Sequence, residues 1–193
     1  MRYYDVNPAT RSVVLIGMMG AGKSCVGRCL QWRTQVALID TDEIVASKFG
    51  MSIPEIFSKY SEQAFREAET QALRDLPATQ QMIIVTGGGA VLREENIEIL
   101  KRLGVLVWLD GSRRTLFDRA SRSGNRPLLQ GAHTREAFAL LLERRLPLYA
   151  KTAHLRVDTS ELTDEEVAVA ILSKLSGFGS NPEPGSSIPG TAS

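Results

Sequence analysis

The sequence predicts an α/β fold in which a parallel β-sheet carries helices on both faces. Short strands alternate with helical segments along the chain, which is the pattern of β-α-β units. The stretches 13–16 and 82–85 are apolar at every position, as expected of parallel strands that are buried on both faces. Polar or glycine-rich turns directly follow three of the strands. Because ligands bind at the carboxyl ends of such strands, these turns mark one edge of the sheet as the candidate site.

The helices between the early strands have recognisable ends. Gly50 ends the helix predicted at 41–49, because glycine readily takes the left-handed conformation that closes a helix. Ser52 and Glu55 form a capping box with Pro54 in the first turn, so another helix begins there.

Later boundaries follow from the same kinds of signal. Pro77 ends a longer helix, and Thr163 with Glu166 forms a second capping box. We expect strands at 12–16, 36–39, 82–85, 105–109 and 155–157. We expect helices at 22–33, 41–49, from 52, and at 61–76, 94–103, 112–122, 134–150 and 163–175. The domain is expected to span 1–175, with a loose arm at 1–10 and a disordered tail at 176–193.

Composition restricts the class of protein. The chain has 193 residues, 43% hydrophobic and 23% charged, which suits one globular domain. A net charge of +1 gives no sequence-wide attraction to nucleic acid or membranes. The N-terminus lacks the apolar stretch of a signal peptide and no segment is long enough to span a membrane, so we expect a cytoplasmic protein. Cys25 and Cys29 are expected to be reduced, buried residues of the first helix.

Residues 17–24 match the phosphate-binding pattern G-x-x-x-x-G-K-S. Glycines let backbone N–H groups approach an anion closely, and the following helix points its N-terminal N–H groups at that anion. Lys23 can reach the β/γ-phosphates, and the Ser24 hydroxyl can ligate Mg²⁺. The candidate nucleotide-binding residues here are Gly20, Ala21, Gly22, Lys23, Ser24 and Cys25. The alternative is a glycine-rich turn that binds nothing.

Two carboxylates, Asp40 and Asp42, follow the second strand. One could support Mg²⁺ and the other could bind a substrate hydroxyl or accept its proton. The alternative for either residue is simple capping of the helix at 41–49. Asp110 also ends an apolar strand and is a rival magnesium ligand.

The third strand leads into Gly87, Gly88 and Gly89, and such a run indicates close approach of the backbone to a small ligand. A tight turn is the alternative. On the predicted helix 61–76, Arg66 and Glu69 are three positions apart and share a face. A solvated surface pair is the alternative there.

Arginines dominate the later candidate positions. Arg119 and Arg126 flank or lie within the irregular stretch 123–133, which suits a mobile lid that neutralises phosphoryl charge. An exposed basic loop is the alternative. Arg145 lies near Pro147, and a proline bend could direct it inward, although a surface arginine is the alternative.

Together these stretches resemble the shikimate kinase family. The similarity covers about 12–175 and rests, in order, on GMMGAGKS, IDTDEI, SIPEIF, EQAFREAE, TGGGAV, NRPLL and ERRLPLY. It implies a P-loop kinase fold with a five-stranded parallel sheet and a mobile lid at about 123–133. It also implies transfer of the γ-phosphoryl group of ATP to the 3-hydroxyl of shikimate, with Mg²⁺, to give shikimate 3-phosphate in aromatic amino-acid biosynthesis.

The resemblance implies roles for individual residues. The expected catalytic residues are Lys23, Asp42 and Arg126. The expected magnesium ligands are Ser24 and, through water, Asp40. Arg119 and Arg126 are expected to join the P-loop around the nucleotide. The expected shikimate-binding residues are Asp42, Phe57, Arg66, Glu69, Gly87, Gly88, Gly89 and Arg145, with Ile53, Phe65 and Pro127 on the apolar side.

The expected partners are ATP and shikimate, without nucleic acid or membrane, and the protein is expected to be a monomer. A kinase of another polyol acid, such as gluconate, and a non-catalytic nucleotide-binding relative are the alternatives. The stretch 31–35 departs from the family, which usually has a glycine where this first helix ends. We expect a changed helix end there and an intact site.

Overall fold

The computed structural model describes residues 11–122 and 134–178. Its strands are β1 (Ser12–Ile16), β2 (Ala37–Asp40), β3 (Met82–Val85), β4 (Gly104–Asp110) and β5 (Leu155–Asp158). Its helices are α1 (Lys23–Thr34), α2 (Thr41–Phe49), α3 (Ile53–Lys59), α4 (Glu62–Arg74), α5 (Glu94–Leu103), α6 (Arg113–Arg122), α7 (Thr134–Thr152) and α8 (Asp164–Phe178). A 3₁₀ turn, Ala90–Leu92, precedes α5.

The five strands form one parallel sheet in the order β2-β3-β1-β4-β5. Every residue of β1, β3 and β4 is buried, so the sheet is covered on both faces. β1 lies between β3 and β4, which puts the P-loop that follows it at the centre of the sheet edge. The predicted α/β class and the parallel sheet are confirmed.

A second, smaller apolar cluster lies outside the main core. It joins α2, α3 and α4 through Val45, Ile56 and Phe65, with Ala68 and Ala72 on the same side of α4. The packing of these helices leaves the face of α4 that carries Arg66 and Glu69 next to the strand ends. This cluster therefore supports one wall of the site described below.

Several predicted elements match at both ends, and the boundaries of the others differ by one to three positions. β2 spans 37–40, so Asp40 belongs to the strand end and also begins α2. The last helix continues through Phe178, so residues 176–178 are helical where the sequence predicts the start of a tail. Residues 1–10 and 179–193 lie outside the described residues.

The end of α1 lies in the stretch 31–35, which is singled out in the sequence. Gln35 closes the helix with a φ of 58°, the left-handed conformation that favours glycine. Its backbone N–H bonds to the Gln31 carbonyl, and its side-chain amide donates to the Trp32 carbonyl at 2.7 Å. A non-glycine residue therefore closes this helix and carries the strain.

We expect Gln35→Gly to raise the free energy of unfolding by about 1 kcal/mol, because an L-residue in this conformation costs roughly 1–2 kcal/mol. Urea unfolding monitored by circular dichroism measures the change. Gln35→Ala is the matched control, since it removes the amide but keeps the Cβ, and it should give no gain. Equal stabilities for the glycine and alanine variants would contradict the strain at this position.

Candidate active site

The carboxyl ends of the strands open into a cavity of about 930 Å³. Side chains from α3, α4, α6 and α7 complete its walls. The walls include the predicted site residues Gly20, Gly22, Lys23, Ser24, Cys25, Asp40, Asp42, Phe57, Arg66, Glu69, Gly87, Gly88, Gly89, Arg119 and Arg145. One cavity therefore contains both the P-loop residues and the residues expected to hold the acceptor.

The remaining predicted site residues are Ala21, Arg126 and Pro127. Ala21 is buried and does not line the cavity, although its backbone N–H closes the P-loop turn on the Met18 carbonyl at 3.2 Å. Arg126 lies outside the described residues, together with Pro127 and the whole predicted lid at 123–133.

The P-loop has the backbone that its glycines allow. Gly17, Gly20 and Gly22 have φ values of 142°, 84° and 84°. A Cβ on Gly20 would also collide with the backbone carbonyl of Leu116. Gly22 precedes α1 without a side-chain cap, so the helix N-terminus offers its N–H groups to an anion in the cavity.

Lys23 is held against its own loop. Its Nζ donates to the carbonyls of Gly17 and Met18 at 2.8 and 3.1 Å. These two carbonyls place the ammonium beside the cavity that Gly20 and Gly22 line. Phosphate oxygens entering the loop would meet this positive charge at once.

Ser24 and Asp40 meet at the border between the P-loop and α2. The Ser24 hydroxyl donates to Asp40 Oδ2 at 3.2 Å, while Asp40 Oδ1 accepts from the Asp42 backbone N–H at 3.0 Å. Asp40 therefore caps α2 and also faces Ser24, so the two interpretations of this residue are compatible. Two adjacent hard oxygen donors in a cavity suit Mg²⁺.

Asp42 and Glu69 converge over Gly87. A Cβ on Gly87 would lie 2.6 Å from Asp42 Oδ1 and 2.9 Å from Glu69 Oε1, so only glycine leaves room for both carboxylates. Glu69 is fully buried, and its Oε1 has no hydrogen-bond partner within the described parts of the chain. Burial raises the pKa of the Glu69 carboxyl, and the nearby Arg66 guanidinium only partly opposes the rise.

Arg66 is oriented by carboxylates on its own helix. Its Nη1 donates to Glu69 Oε2 at 2.9 Å, and its Nη2 donates to Glu62 Oε1 at 3.3 Å. A Cβ on Gly89 would collide with the guanidinium, so the glycine turn is shaped around this side chain. The Arg66 side chain is only 12% exposed, and the interpretation of a solvated surface pair is wrong.

Arg145 points inward from α7. It is 5% exposed, and its Nη1 donates to the Gly88 carbonyl at 3.2 Å. Its Nε has no hydrogen-bond partner within 11–122 and 134–178. The surface-arginine alternative is wrong, because α7 continues through Pro147 and packs against the turn Ala90–Leu92 and β4.

Arg119 borders the other end of the cavity. Its guanidinium donates to the hydroxyl and the carbonyl of Thr159 at 3.1 and 3.0 Å. The neighbouring segment 162–164 also lines the cavity, a feature that the sequence analysis missed. Its capping box signalled the start of a helix, but nothing in the pattern indicated that this start faces the site.

Apolar groups form the remaining wall. Ile53 and Phe57 of α3 line the cavity beside Phe65 of α4, and the Phe57 and Phe65 rings are 4.9 Å apart. Phe65 also lies under the Arg66 guanidinium at 5.1 Å. A ring-shaped ligand would contact apolar groups on this side and charged groups on the others.

Two expectations from the sequence are wrong. Cys25 is exposed and lines the cavity, while Cys29 is half-buried, because the first turn of α1 borders the site and only the following turns are covered. Asp110 is bound by Arg156, with Oδ2 accepting from Nε at 2.9 Å, and it does not line the cavity. The rival magnesium assignment to Asp110 therefore fails.

Other classes of site are missing from the part of the chain that the structure describes. Within it, no group of three or more His, Cys, Asp or Glu side chains is arranged to hold a metal. None of its helices combines the length and the apolar character needed to cross a bilayer.

Comparison with known proteins decides the family. The family model described as shikimate kinase matches residues 19–176. The chain belongs to the shikimate kinase family. A shikimate kinase from Thermodesulfovibrio yellowstonii is 41% identical over 162 residues, 84% of this chain and 93% of the relative. Another from Symbiobacterium thermophilum is 40% identical over 166 residues, 85% of this chain and 95% of the relative.

Solved structures of the shikimate kinase family agree. The shikimate kinase from Acinetobacter baumannii, in complex with shikimate, matches with a TM-score of 0.84 at 34% identity, covering 89% of this chain and 96% of that one. A gluconokinase from Sinorhizobium meliloti, at 18% identity and a TM-score of 0.50, shares the fold alone. The predicted P-loop kinase fold, the ATP-dependent phosphotransferase class and the function of a shikimate kinase are confirmed.

Proposed function

We propose that this chain transfers the γ-phosphoryl group of ATP to the 3-hydroxyl of shikimate, giving ADP and shikimate 3-phosphate. The observation that carries the proposal is the cavity itself. It places Lys23 of the P-loop, the carboxylate of Asp42 and the guanidiniums of Arg66 and Arg145 around one space. Nucleotide and acceptor can therefore meet there.

The nucleotide phosphates bind the P-loop. Backbone N–H groups at the start of α1 and the Lys23 ammonium neutralise the β- and γ-phosphates. Arg119 lies on the wall of the cavity near 162–164 and contacts the remainder of the nucleotide. Cys25 is counted among the nucleotide-binding residues because it lines the same cavity. Arg126 is expected to neutralise the transferring group, a role that stays a prediction.

Ser24 would hold Mg²⁺ directly, and Asp40 would hold it through water. Asp40 Oδ2 accepts from the Ser24 hydroxyl at 3.2 Å, so a water on an ion at Ser24 would be within reach of this carboxylate. When bound with ATP, the ion supplies charge neutralisation at the phosphates.

Shikimate is a carboxylate on a ring that carries three hydroxyls. Arg66 and Arg145 bind the carboxylate, because planar guanidiniums match its two oxygens. Asp42 and Glu69 face the ring hydroxyls, and Gly87, Gly88 and Gly89 leave room for the ring. The apolar wall that includes Phe57 packs against the ring.

Transfer needs positioning and charge neutralisation more than a strong base. The 3-hydroxyl oxygen bonds to the γ-phosphorus as the bond from that phosphorus to the bridging oxygen of ADP breaks. The hydroxyl proton passes to the Asp42 carboxylate.

The purified protein should release ADP from saturating Mg²⁺-ATP only when shikimate is present. A panel with gluconate and quinate in place of shikimate tests the acceptor. ADP release with gluconate alone would replace the proposal with the polyol-acid alternative. ATP binding without any acceptor-dependent turnover would favour a non-catalytic relative.

A further inference from the structure

A buried tyrosine that does not line the cavity contacts the glycine turn, and the function proposed above gives it no role. Tyr149 lies one turn after Arg145 on α7, so the two side chains share a face. Tyr149 is 1% exposed, and its hydroxyl donates to the Gly88 carbonyl at 2.5 Å. The Trp108 ring stacks on the Tyr149 ring, and the two ring centroids are 6.0 Å apart.

The Gly88 carbonyl accepts two donors from one helix. Tyr149 supplies the hydroxyl, and Arg145 supplies Nη1 at 3.2 Å. A trans peptide is planar, with its carbonyl and the following N–H pointing in opposite directions. Fixing the Gly88 carbonyl therefore fixes the direction of the Gly89 N–H and the course of the glycine turn.

The Gly89 end of that turn has little room to move. A Cβ on Gly88 would make ordinary van der Waals contacts, 3.4 Å from the Gly17 carbonyl and 3.6 Å from the Met19 N, so Gly88 lies beside the P-loop backbone without being wedged against it. On its other side, Gly89 approaches the Arg66 guanidinium. A rotation of the Gly88 peptide would turn the Gly89 N–H and move Gly89 against the Arg66 guanidinium, on the acceptor side of the cavity.

We propose that Tyr149 is a positioning residue for the acceptor, which holds the glycine turn in place and leaves the rest of the Arg145 guanidinium to bind the acceptor carboxylate. This inference rests on the proposed function. With the hydroxyl present, Arg145 does not have to satisfy the Gly88 carbonyl alone. Without it, the short bond is lost and Arg145 becomes the sole donor to that carbonyl among the described residues.

The hydroxyl remains a donor throughout the working range of an enzyme. Burial raises the pKa of Tyr149 to about 12, so the group stays protonated at neutral pH. The proposed role is therefore independent of pH near neutrality.

The test is Tyr149→Phe, which keeps the ring and removes only the hydroxyl. Arg145 still satisfies the Gly88 carbonyl, so we expect the variant to fold. The KM for shikimate should rise about tenfold, as expected for one lost buried hydrogen bond. The KM for ATP should change less than about twofold, because the bond that is lost ends on the Gly88 carbonyl, which Arg145 on the acceptor side also binds.

Two controls separate the hydroxyl from general packing. Tyr60→Phe deletes the same atom from a tyrosine that is 53% exposed and should leave both KM values unchanged. Trp108→Phe alters the ring stack but keeps the Tyr149 hydroxyl, and its KM for shikimate should stay within about twofold of the wild type.

The inference is overturned if Tyr149→Phe leaves the KM for shikimate unchanged, if both KM values rise together, or if the variant does not fold. Each of these results would make Tyr149 a core residue only. Failure of the proposed function looks different, since the wild-type protein itself would then show no shikimate-dependent ADP release.

Discussion

Asp42→Asn is expected to lower kcat about 10²- to 10⁴-fold, the usual contribution of a positioned proton acceptor. The amide has nearly the shape of the carboxylate but cannot take the proton from the 3-hydroxyl. Initial rates of ADP release at saturating ATP and shikimate give kcat.

Glu43→Gln is the matched control for this variant. It removes one negative charge from the same first turn of α2, but Glu43 does not line the cavity. Its kcat should stay close to that of the wild type. If Asp42→Asn keeps more than about a tenth of the wild-type kcat and mainly raises the KM for shikimate, Asp42 positions the hydroxyl and is not the proton acceptor.

Arg66→Lys is expected to raise the KM for shikimate roughly 30- to 150-fold, equivalent to about 2–3 kcal/mol for charged hydrogen bonds. Lysine keeps the positive charge but presents a single ammonium, which cannot make two parallel bonds to a carboxylate. It also cannot bond to both Glu62 and Glu69 in the same geometry. Steady-state kinetics with each substrate varied in turn measures the effect.

Arg74→Lys makes the same replacement on the same helix. Arg74 pairs with Glu95 on the surface and is half-exposed, so the variant should behave like the wild type. Folding is checked for both variants by circular dichroism. An unchanged KM for shikimate in Arg66→Lys, with the control also unchanged, would remove Arg66 from the carboxylate site.

Much of the fold could be predicted because its signals are local. Apolar β-branched runs, capping boxes and helix-ending residues occur within a few positions of one another. The alternation of strands and helices then implies a parallel sheet, since parallel strands need long crossovers. The boundary errors fall where local signals compete, as at Asp40, which ends a strand and caps a helix at once.

The candidate site was only partly predictable. The P-loop pattern specifies its own backbone, and the rule for parallel sheets brings the turns after β1, β2 and β3 to one edge. Spacing could not tell whether Arg66 and Glu69 form a surface pair or a buried one. The answer depends on how α4 is oriented. Its residues Phe65, Ala68 and Ala72 pack with Val45 of α2 and Ile56 of α3, and this leaves Arg66 and Glu69 on the wall of the cavity.

By itself, the sequence determined the fold class, the nucleotide-binding loop and the family to which the chain belongs. Only the tertiary structure decided that Asp110 pairs with Arg156, that Cys25 faces the cavity and that Tyr149 holds the Gly88 carbonyl. The physical reason is that a motif records neighbours along the chain. Burial and hydrogen-bond partners are set by residues tens of positions away, which meet only when the sheet and its helices pack together.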